Sequence, residues 1–176
     1  MPDSPDPPDY PPEGREHPHR LPRGSYREPG QPVFVSIHAK AAPTSLASPA
    51  SAAPIVDTMR IVAGAEGVRI LAYCVMPNHL HAVVLLRDEG GDLARWVRSV
   101  KARSARALGR PGLWQRSYWD RHARKFADLG TMVGYTLCNP VRWGLCESWQ
   151  EWPWCWSSFH EDSPGPDPNP PIQPGS

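Results

Sequence analysis

Residues 76–86 read MPNHLHAVVLL, an apolar run interrupted by two histidines, His79 and His81, one residue apart. Successive side chains of a β-strand point to opposite faces, so the two imidazoles share one face and Leu80 points to the other. Two imidazoles suit a divalent metal ion, and a third oxygen or nitrogen donor from elsewhere in the fold would complete a small site. The same spacing also occurs in strands whose histidines only pack or meet water. Further along, YTLCNPVR sets Tyr135 four residues before Asn139, a spacing that shares one face of a helix. A helical tyrosine is ordinarily a half-buried packing residue. To act as a nucleophile it needs a base or a cation, because a phenol is almost wholly protonated at neutral pH.

The elements that must position these residues are legible as periodicities. PVFVSIHA (32–39) alternates as a first strand, and AKAAPTSLASPASAAP (39–54) reads as a loop. Ile55, Val56, Met59, Val62 and Ala63 recur as a helix closed by Gly64 and Gly67. VRILAYCVM (68–76) and HLHAVVLL (79–86) form a hairpin across Pro77-Asn78. DLARWVRSVKARSARAL (92–108) is an amphipathic helix with Leu93, Trp96, Val97 and Val100 on one face. GLWQRSYWDRHAR (112–124) suits an edge strand or hairpin, and KFADLGTMVGYTLCN (125–139) suits a helix up to Pro140. The order β-α-β-β-α-β-α predicts an α+β sandwich of ferredoxin-like type, an antiparallel sheet with helices mainly on one face.

The rest of the chain bounds the answer. Of 23 prolines, ten lie in residues 1–32 and six in 161–176, so both ends, 1–30 and 161–176, are expected to be disordered tails around one domain at 31–160. No secretory signal and no long uncharged apolar stretch is visible, which points to the cytoplasm. Cys74, Cys138, Cys146 and Cys155 have neither zinc-site spacing nor disulfide density and are expected to be reduced core residues. The net charge of +1 conceals a basic segment: from Arg87 to Lys125, eleven Lys or Arg face four Asp or Glu. Such a segment suits either a polyanion or a solvated helix face. Arg95, Arg98, Lys101, Arg103 and Arg106 on the helix, and Arg142 after Asn139, are the candidate phosphate contacts. The dense aromatics Trp143, Trp149, Trp152, Trp154, Trp156 and Phe159 suit either base stacking or core, and core suits most of them better.

YCVMPNHLHAVV, LWQRSYWDRHAR, YTLCNPVRWGL and WPWCWSS occur together in one order. In this combination the chain resembles the REP-associated tyrosine transposases, relatives of the single-tyrosine transposases of the HUH nuclease superfamily, over roughly residues 30–160. The resemblance implies that His79 and His81 hold Mg²⁺ or Mn²⁺, that Asn139 stands where relatives carry a polar third ligand, and that Tyr135 is the nucleophile. It implies cleavage of single-stranded or hairpin DNA through a 5′-phosphotyrosine, with a free 3′-hydroxyl leaving and the strand open to rejoining. Asn139 before Pro140 also suits a simple helix cap. Two other functions use the same fold: a repeat-DNA-binding protein that does not cut, and a metal-dependent phosphodiester hydrolase with a water nucleophile. A covalent adduct through Tyr135 separates them. Trp143 departs from the family, which usually has a small residue there, as does the Ala/Ser/Pro-rich run 39–54. The residues do not distinguish a monomer from a homodimer.

Overall fold

The computed structural model describes residues 30–40, 45–87, 91–122 and 126–169, so the expected N-terminal tail lies outside the described residues but for Gly30. The alternation of PVFVSIH makes β1 (Pro32–His38). VRILAYCV makes β2 (Val68–Val75) and HLHAVVLL makes β3 (His79–Leu86), joined by the tight turn whose Met76 N–H donates to His79 C=O at 2.8 Å. Trp119–His122 is a short edge strand, β4, and Cys155–Ser157 is β5. Every pairing is antiparallel, in the order β4-β1-β3-β2-β5. A register shift between Ile70 and Ala72 leaves Leu71 as an extra residue in β2. This bulge explains how Ile70 and Tyr73 pack on one face of the sheet while Leu71, Ala72 and Cys74 pack on the other.

Among the described residues three α-helices cover the sheet, two on one face and one on the other. Helix α1 (Pro49–Ala65) and helix α2 (Leu93–Ala107) pack Ile55, Met59, Trp96 and Val100 onto Val33, Val35, Ile37, Leu80 and Val84. Helix α3 (Phe126–Arg142) packs Met132, Val133 and Leu137 onto the opposite face, beside Phe34, Cys74 and Val83. The α+β sandwich expected from the periodicities is the fold observed. Within the first core, Trp114 Nε1–H donates to Ser104 Oγ at 2.9 Å, and that hydroxyl donates to Val100 C=O at 2.6 Å, so these buried polar groups are satisfied.

Several local expectations give way. Helix α1 starts at Pro49, inside the run read as a loop, because proline is favoured in a first helical turn and alanine is the best helix former. Residues 161–169, read as the start of a disordered tail, bond to β5 through Ser163 and Gly165 and reach the part of β2 that β5 does not pair. There Asn169 Oδ1 accepts from Ile70 N–H at 3.0 Å and its Nδ2 donates to Ile70 C=O at 2.9 Å, completing backbone bonds that no strand supplies. Trp152 packs on the α3 side of the sheet, and Trp154 and Trp156 on the α1/α2 side. Cys74 and Cys155 are buried, but Cys138 is exposed. No helix among the described residues is long and apolar enough to cross a membrane.

Candidate metal and nucleophile site

The face of the sheet under α3 carries the site. In β1, Phe34, Ser36 and His38 face α3, and antiparallel pairing sets Ser36 opposite His81 and His38 opposite His79. The strand period therefore gathers three imidazoles. His79 Nε2 and His81 Nε2 approach to 2.9 Å, and the His38 ring stacks on His79 at 4.9 Å with 18° between planes. Asn78 Oδ1 can only accept, so at 2.6 Å His79 Nδ1–H donates to it and His79 Nε2 is left with a lone pair. His81 Nε2–H then donates to it. Ser36 Oγ bonds His38 Nε2 at 2.9 Å and holds that ring in place.

Both imidazoles are nearly sealed, at 2 % exposure for His79 and 5 % for His81, and both are neutral. Desolvation pushes the His79 pKa down to about 3, with the neighbouring His38 adding to the shift and a hydrogen bond to Asn139 opposing it. His81 is lowered well below the ordinary value, first by burial and then by His79 and His38, again against a hydrogen bond to Asn139. Neutral imidazole is the ligating form.

Helix α3 runs through Asn139 and Pro140 to Arg142, so Asn139 is not a helix cap. It is buried at 2 % exposure, with its amide on both histidines. The helix ends at Arg142, and just beyond it Gly144 takes φ of 66°, its N–H donates to Val141 C=O at 2.9 Å, and Leu145 N–H donates to Pro140 C=O at 2.9 Å. This paired bonding through a left-handed glycine closes helices without strain. One turn before Asn139, the half-buried Tyr135 ring stands edge-on to His81 at 5.6 Å. Phe34 is wedged against both, at 5.1 Å from His81 and 5.6 Å from Tyr135, and fixes their separation. The Arg142 guanidinium lies 5.1 Å over the Tyr135 ring.

His79, His81, Asn139, Tyr135 and Arg142 thus lie close to one another on this face. The basic helix does not join them. Arg95, Arg98, Lys101, Arg103 and Arg106 lie on α2, across the sheet from α3. Arg95 Nε pairs with Glu66 at 2.6 Å, and Lys101 Nζ donates to the carbonyls of Gln115, Arg116 and Ser117 at 2.8–3.3 Å. Arg98, Arg103 and Arg106 are exposed. His38, Ser36 and Asn78 were missed by sequence reasoning. The period-2 rule applied to PVFVSIH would have put Ser36 and His38 on one face, although only the pairing register shows which face.

The chemistry of the donors fits a divalent cation. Two neutral imidazole nitrogens and a side-chain amide converge, and His81 Nδ1 is buried without a hydrogen-bond partner. Among the described residues no group of three or more His, Cys, Asp or Glu is arranged for a metal, so an amide would be the third donor here.

An α+β sandwich with paired strand histidines facing a helical tyrosine is the class of protein that fold and site define. The chain is similar in sequence to REP-associated tyrosine transposases. It is 31 % identical over 93 residues to the REP-associated tyrosine transposase of Escherichia coli K12, covering 53 % of this chain and 55 % of that protein. It is 29 % identical over 106 residues to a Haemophilus influenzae protein assigned to the same family, covering 52 % of this chain and 59 % of the relative. The chain therefore spans little more than half the length of the curated relatives it matches. No family model matches it. The fold matches the solved structure of a REP-associated tyrosine transposase bound to a REP hairpin, with a TM-score of 0.68 and 23 % identity over 74 % of this chain and 78 % of that one.

Proposed function

We propose that the protein is a metal-dependent single-strand DNA endonuclease and strand transferase of the tyrosine transposase kind, acting on hairpin DNA in the cytoplasm. The observation that carries this reading is the convergence of Tyr135 with His81, His79 and Asn139 on one face of the sheet, with Arg142 alongside. His79, His81 and Asn139 would hold Mg²⁺ or Mn²⁺. Bound there, the cation would neutralise phosphoryl oxygens as negative charge shifts in the transition state. The donor set is uncharged, so the phosphodiester itself supplies the anionic ligands such ions favour.

The side chains divide the remaining work. Phe34 and His81 hold the phenol ring so that its oxygen is presented to the phosphorus from a fixed direction. Attack forms the bond from the tyrosine oxygen to phosphorus and breaks the bond from phosphorus to the 3′-oxygen, which leaves as a hydroxyl. One phosphodiester replaces another, so the reaction runs in reverse when a new 3′-hydroxyl enters. Asn78 orients His79 through Nδ1, the kind of outer contact that fixes the tautomer of a metal-ligating histidine. Arg142, which lies over the Tyr135 ring, would contact a phosphate next to the reacting one. The exposed Arg98, Arg103 and Arg106 would add charge for a distant part of the hairpin on the other face of the sheet. Incubation with a labelled hairpin and Mn²⁺ should leave protein covalently on the 5′-phosphate of the strand downstream of the cut. Free cleavage products without an adduct would support the hydrolase instead.

A further inference from the structure

We propose that Trp143 is a platform on which one unpaired base of single-stranded DNA stacks beside the site, and the proposal rests on the DNA-cleaving reading above. Most aromatics of the C-terminal block are part of the packed structure: Trp156 is buried, and Trp149, Trp152 and Trp154 are partly buried against the two cores. Trp143 differs. Its side chain keeps 38 % exposure, yet its ring centroid is 5.5 Å from that of His79, tilted by 50°. One part of the indole covers the buried histidine while the rest is open to solvent at the lip of the site. Leu145, at 41 % exposure, continues the apolar surface.

The platform is set in place before any ligand arrives. Trp143 N–H donates to Asn139 C=O at 3.1 Å, and the bonds of Gly144 and Leu145 back to α3 fix the backbone on its other side. A rigid aromatic loses little conformational entropy on binding. Arg142, the preceding residue, extends over Tyr135 and gives a phosphate contact between nucleophile and platform. A cation for the backbone beside an open π-face is the combination that binds single strands without a fixed sequence, since every base has a face to stack. Bases within a duplex already stack on one another, so the platform selects unpaired nucleotides.

The test uses the full chain, with a fluorescent oligonucleotide of mixed sequence carrying one hairpin and a single-stranded flank, and a blunt duplex of the same composition as the second probe. With metal chelated, Trp143→Ala should weaken binding of the flanked hairpin about tenfold, whereas Trp143→Phe should keep it within about threefold of wild type. Binding of the blunt duplex should stay within about twofold for both. A 2-aminopurine walked along the flank should be quenched at one position by wild type and not by Trp143→Ala. Wild-type affinity of Trp143→Ala for the flanked hairpin, or an equal loss on both probes, overturns the proposal and leaves the indole as a cover for His79. Circular dichroism of both variants separates these results from misfolding, and the phenylalanine variant carries the test if the alanine variant does not fold. The nuclease reading fails separately, when wild type binds the flanked hairpin but forms no adduct with Mn²⁺ present.

Discussion

At the scale of single residues, burial and hydrogen bonding set the chemistry. Asn139 touches both histidines from the buried side of α3, so Asn139→Ala should raise the Mn²⁺ concentration for half-maximal cleavage about tenfold or more. DNA affinity measured with metal chelated should stay near wild type, and unchanged metal dependence would remove Asn139 from the site. The histidines also make stability depend on pH in a determined direction. The folded-state pKa of His79, at about 3, lies below the unfolded value near 6.5, so the unfolded chain takes up the proton first. The stability it contributes is complete above pH ~6.5 and is lost as pH falls towards 3, and His81 acts in the same direction. Denaturant unfolding of the metal-free protein should lose about 2 kcal/mol from His79 between pH 7 and 5, with His81 adding in the same direction. A flat profile over that range would mean that the rings are not held neutral. The pair His79 and His81 was legible in the sequence because its spacing matches the strand period. His38 and Asn78 were not, because one acts through cross-strand register and the other through a turn, and neither leaves a pattern along the chain.

At the scale of elements, the sheet divides the molecule into two faces with different work. Helices α1 and α2 close one core, and α3 brings Tyr135, Asn139 and Arg142 to the other. The amphipathic stripe of α2 was readable from Leu93, Trp96, Val97 and Val100, but which face of the sheet it would cover was not, since that depends on the hand of the connections. Its basic residues therefore face away from the site. Replacing Arg98 and Arg103 together by alanine should flatten the salt dependence of hairpin binding by about one to two logarithmic units of slope. The extent of adduct at saturating DNA should be unchanged. An unaltered slope would show that this face of α2 meets only water. Helix α3 was expected to stop at Pro140, because proline disfavours helical dihedrals in the residue before it. The helix continues to Arg142, where Gly144 and Leu145 return hydrogen bonds to Val141 and Pro140 and close its end.

At the scale of the whole molecule, the chain closes on itself through residues that composition marks as tail. Gly165 N–H donates to Cys155 C=O at 2.7 Å, and Tyr73 Oη donates to Pro166 C=O at 2.8 Å. A Cβ on Gly165 would lie 2.6 Å from both the Cys155 carbonyl oxygen and Tyr73 Oη, so only glycine fits. Proline and aspartate around it hid this from a reading that equates low hydrophobicity with disorder. Each buried hydrogen bond contributes about 1 kcal/mol, so ending the chain at residue 162 should lower stability by about 2–4 kcal/mol, and Gly165→Ala should lower it by a comparable amount through the clash. An unchanged thermal midpoint for both would mean that the segment does not hold the edge of β2 in solution. The central claim, that the two faces exist to present Tyr135 to a phosphodiester, is tested most directly by mass spectrometry of protease-digested protein after reaction with a hairpin and Mn²⁺. The expected result is one peptide containing Tyr135 joined to the 5′-phosphate of the downstream strand, absent from Tyr135→Phe, which still binds the hairpin. An adduct that survives in Tyr135→Phe, or cleavage by wild type with no adduct at all, would contradict it.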